Sequence, residues 1–176
     1  MHPEELSRRI EEAFADCERP SPDEVTAYAG SSFIDAVGPR LWQELRPLGH
    51  YLADSLDIVL LSPKAYRYYL PAYLHALLDP AEDGFYLHHV LDSLWFEEWP
   101  DPTIHMPHLR ELWEERMPLL TDQQRKCIAE FLLQVRARTN DWNQGEVSVC
   151  RRIQRMLDKY WGAFLAPKGS PQTRQV

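Results

Sequence analysis

The stretch LSPKAYRYYLPAYLHALLDP, residues 61–80, places a proline in the middle of a strongly apolar helical pattern. Ser62 followed by Pro63 is a helix start, an N-cap and then a proline whose missing N–H costs nothing in the first turn. From there Tyr66, Leu70, Tyr73 and Leu77 form one apolar stripe, and Tyr69, Leu74 and Leu78 widen it. A stripe this wide predicts a helix contacted on more than one side. Pro71 removes its own N–H and crowds the carbonyl of Arg67, a defect worth about 3 kcal/mol in an exposed helix interior. The segment is therefore predicted to be a central helix in which Pro71 builds in a bend. The alternative is a break, with Pro71 opening a second helix.

The rest of the chain supplies helices to surround it. Leu6, Ile10, Ala13 and Phe14 follow helical spacing near the N-terminus. Ser21 with Glu24, and Thr121 with Gln124, have the spacing of capping boxes. Trp42 and Leu45, with Leu41, are expected on one face of a short helix. DIVLL at 57–61 alternates like a strand but has no second strand to pair with, so it is read as a buried connector. Further helices are expected over 82–98, from Pro107, from Thr121, and through Val149, Ile153, Met156, Leu157, Tyr160, Trp161 and Phe164. The fold class is all-α: one irregular multi-helix bundle over residues 1–165, with a disordered tail at 166–176.

A chain of 176 residues can bury about 70% of its extended surface, enough for a core without staples. Its three cysteines, Cys17, Cys127 and Cys150, are far apart and form neither a disulfide framework nor a zinc motif. Reduced thiols, a charged N-terminus and the lack of a long apolar run point to a cytoplasmic protein with no membrane association. The net charge of −8 is unevenly spread: −7 over residues 1–62, −6 over 63–120 and +5 over 121–176. An acidic chain of this kind disfavours nucleic acid and favours a basic protein partner.

The run LSPKAYRYYLPAYLHALL, with the upstream Trp42-x-x-Leu45 and the downstream LTDQQRKCIAEFL at 120–132, resembles an uncharacterised bacterial family, a domain of unknown function. The family has no assigned activity, so the resemblance implies no catalytic residue. By analogy with other small acidic helical families, it implies a non-catalytic binding or interaction protein of the immunity type, one that neutralises a toxin.

The residues themselves offer one alternative, an enzyme or small-ligand binder built from a Tyr/Arg/His cluster: Tyr66, Arg67, Tyr69, His88, His89, His105 and His108. Phenols and a guanidinium suit an anionic ligand. The competing explanation is structural, with tyrosine hydroxyls tying up backbone groups and Arg67 paired to an acid. Adjacent His88 and His89 point about 100° apart on a helix and cannot chelate one ion by themselves. No H-E-x-x-H, no paired E-x-x-H, no P-loop and no nucleotide fingerprint occurs, so no metal and no cofactor is predicted.

Overall fold

The computed structural model describes residues 2–25, 40–48, 58–79, 87–95, 107–139 and 147–165. Within them are six α-helices and no β-strand: α1 (Pro3–Phe14), α2 (Pro63–Leu78), α3 (Leu87–Leu94), α4 (Pro107–Arg116), α5 (Asp122–Thr139) and α6 (Val147–Lys159). Short 3-10 turns at Pro22–Glu24, Trp42–Leu48, Ile58–Leu60, Met117–Leu119 and Trp161–Phe164 join or extend them. The expected tail at 166–176, the loop at 99–106 and the first residues of the helix expected over 82–98 lie outside the described residues.

α2 runs unbroken through Pro71, so the two-helix alternative does not hold. Thirteen of its sixteen residues are buried, which places neighbours on nearly every side and leaves Pro63, Lys64 and Arg67 as its outlets. Its apolar residues join those of α1, α3, α5 and α6 in one contiguous core. A helix so enclosed is held by packing rather than by intrinsic propensity, which is how an interior proline is tolerated.

Both ends of α2 are tied down. The Ser62 hydroxyl accepts from the amide of Ala65 at 3.2 Å and donates to the carbonyl of Glu24. The Ser62 amide reaches the carbonyl of Val25 at 3.1 Å. At the other end Arg138 of α5 donates to the carbonyl of Leu77 at 2.8 Å, putting a cation where the helix dipole is negative. Of the connector expected at 57–61, Ile58, Val59 and Leu61 are in the core, and Asp57 lies outside the described residues.

α1 and α5 lie antiparallel. Gln124 meets the carbonyl of Ala13 at 3.0 Å, and Arg9 meets Glu130 at 2.9 Å. The Thr121–Gln124 capping box forms, with amide-to-side-chain bonds of 3.2 and 3.0 Å. The carbonyl of Leu94, at the end of α3, accepts the indole N–H of Trp161 at 3.0 Å and of Trp113 at 3.2 Å. Two tryptophans thus satisfy a helix-terminal carbonyl that the helix itself leaves unpaired.

The Pro22–Glu24 turn, which meets the start of α2 through Ser62 and Lys64, carries a pH-dependent contact. Glu24 accepts from the amide of Ser21 at 2.9 Å, from its hydroxyl at 2.8 Å, and from Lys64 at 3.0 Å. The Ser21 amide first, then its hydroxyl and Lys64, lower the Glu24 carboxyl from its ordinary 4.5 to about 2. A group lowered on folding contributes stability that is complete above its unfolded pKa and is lost as pH falls through the folded one. Wild-type protein is therefore expected to lose this contribution between about pH 4.5 and about 2. Glu24→Gln should flatten that part of the curve of melting temperature against pH, measured by circular dichroism. Superimposable acid limbs would remove the assignment.

Candidate functional site

Tyr66 and Arg67 are adjacent on α2 and so point to different neighbours. Tyr66 is fully buried. Its hydroxyl lies 3.3 Å from the carbonyl of Ser93 and 3.4 Å from the Ser93 hydroxyl, on α3. Burial pushes its phenol up to about 12, against the opposing effects of Ser93 and Arg116. A phenol held this way stays protonated and serves as a donor.

The guanidinium of Arg116 lies 4.7 Å from the centre of the Tyr66 ring. It is 2% exposed and donates to the carbonyl of Val59 at 2.6 Å and to that of Leu61. Arg116 thereby staples the buried connector to α4 across the face of Tyr66. Sequence reasoning missed it: Arg116 follows two glutamates at a helix end, where an arginine ordinarily reads as solvated.

Arg67 leaves α2 on another side. Its Nε donates to Oε1 of Gln124 at 3.2 Å, so its partner is an amide rather than the acid expected. The same Gln124, 1% exposed, donates through Nε2 to the carbonyl of Ala13 and to Sγ of Cys17 at 3.3 Å. Gln124 thus caps α5 and also joins α1, α2 and α5. Its capping spacing is legible in the sequence; its second role has no local signal. Burial raises the Cys17 thiol, opposed by Arg67 and Gln124.

Tyr69 packs edge-on to Tyr68, with centroids 4.8 Å apart. Burial and the neighbouring Tyr68 raise its phenol, while Arg19 opposes that shift. His88 and His89 are both exposed on α3. His105 lies outside the described residues, as does the side chain of His108 on α4. Of the seven candidates, then, Tyr66, Arg67 and Tyr69 reach three separate sets of partners, and the two described histidines face solvent. No group of three His, Cys, Asp or Glu side chains is arranged to hold a metal ion among the described residues.

A second polar contact joins α1 to α2. The hydroxyl of Ser7 lies 2.9 Å from Nδ1 of His75, whose ring stacks on Trp42 with centroids 5.6 Å apart and planes 11° apart. This contact fixes the imidazole and locks the Trp42–Leu48 turn against the core helix. Cys127, on α5, is buried, and desolvation raises its thiol to about 11. It is expected to resist alkylation by iodoacetamide at neutral pH in the native protein and to react once urea unfolds the chain. Rapid native labelling at Cys127, mapped by peptide mass, would contradict that placement.

Chemically, these arrangements hold helices together. Each uses a long polar side chain to satisfy backbone carbonyls or a neighbouring side chain in the interior. No helix of the described residues is long and apolar enough to cross a membrane. No curated protein and no solved structure matches the chain. The family of unknown function DUF6714 matches residues 2–165, and the chain belongs to that family.

Proposed function

We propose that this is a non-catalytic interaction protein whose N-terminal surface captures a basic protein, with neutralisation of a cationic toxin as the specific form. The observation that carries the reading is the charge of the α1 region. Residues 2–25 hold eight acids and three arginines. Leu6, Ile10 and Phe14 occupy the core side of α1, which turns Glu4, Glu5, Glu12 and Asp16 to solvent. Arg8 bridges Glu5 and Glu12 within α1, and Arg9–Glu130 and Gln124–Ala13 tie that helix to α5, so its carboxylates stand on a packed element. A fixed acidic face of this kind accelerates encounter with a cationic partner and repels polyanions.

The engagement of Tyr66, Arg67 and Arg116 in interior bonds also supports a binding role over the alternative of an enzyme using the Tyr/Arg/His cluster. The test is affinity capture from host cells with wild-type protein and a Glu4→Gln, Glu12→Gln, Asp16→Asn, Glu18→Gln variant, each at low and high salt. A basic protein retained by wild type at low salt, and released by salt or by the substitutions, is the expected result. Retention indifferent to both, or capture of acidic proteins only, would overturn the reading.

A further inference from the structure

We draw no further inference here: the strongest candidate, the outward-facing row of Arg151, Arg155 and Lys159 on α6, is a solvent-exposed charged helix face, and nothing among the described residues shows what partner would cover it.

Discussion

Replacing Arg116 with alanine is expected to destabilise the protein by about 4 kcal/mol, one of the two largest effects anticipated for any single substitution here. The side chain supplies the donors for the buried carbonyls of Val59 and Leu61. Each carbonyl left unpaired costs about 1–3 kcal/mol, and a void opens against the Tyr66 ring. The sign needs argument, because exchanging a buried charge for an apolar group can be neutral or even stabilising. Here the arginine's acceptors are backbone carbonyls that cannot be removed with it, so the loss dominates. Arg116→Met, which keeps most of the volume, should recover the packing share but not the hydrogen bonds. Arg116→Lys should also remain destabilised, since both carbonyls are reached by one guanidinium nitrogen, Nη2, while the planar group lies over the Tyr66 ring, and a shorter, more strongly hydrated ammonium loses that stacking. Urea titration of the three variants measures this. Losses below about 1 kcal/mol for alanine would show that the connector is held by other contacts.

Leu70→Ala should cost about 3–4 kcal/mol and lower the melting temperature by about 10 °C in a chain of this size. Leu70 has no exposed surface and sits one residue before Pro71, in the middle of α2. The helix is enclosed on nearly all sides, so little of the lost volume can be recovered by collapse. Leu41→Ala provides the contrast. Leu41 is 46% exposed, and its truncation should change stability by no more than about 0.5 kcal/mol. Similar losses at the two sites, compared by thermal melts, would contradict the ranking.

That contrast also marks where sequence pattern stops being informative. The central helix is legible because its signals agree: Ser62-Pro63 at the start, a wide apolar stripe, and a proline that only an enclosed helix would carry. The Thr121–Gln124 box is legible for the same kind of reason, a local spacing with a local bond. Leu41 misleads because the segment that follows it is a 3-10 turn. With three residues per turn, Trp42 and Leu45 share a face and Leu41 does not.

The polar interior is the least legible part. Arg116 and Gln124 become structural only through contacts far away in sequence: Arg116 with Val59 and Leu61, Gln124 with Ala13, Cys17 and Arg67. No periodicity reports such pairs. Arg152 illustrates the same limit. Helical phase groups it with Arg151, Arg155 and Lys159 on an outer face, yet it is half-buried and paired with Asp92 of α3. Of the candidate cluster, Tyr66 follows the structural explanation in that its phenol is buried and donates within the fold to the carbonyl of Ser93.

Native-state hydrogen exchange tests the account at its centre. The amides of Tyr66 to Leu78, Pro71 excepted, should exchange only through global unfolding, with protection free energies equal to the stability measured in urea. Amides of α3, a helix of eight residues, should open more cheaply. If the α2 amides exchanged by local opening, as fast as those of α3, then α2 would not be the element around which the other helices pack.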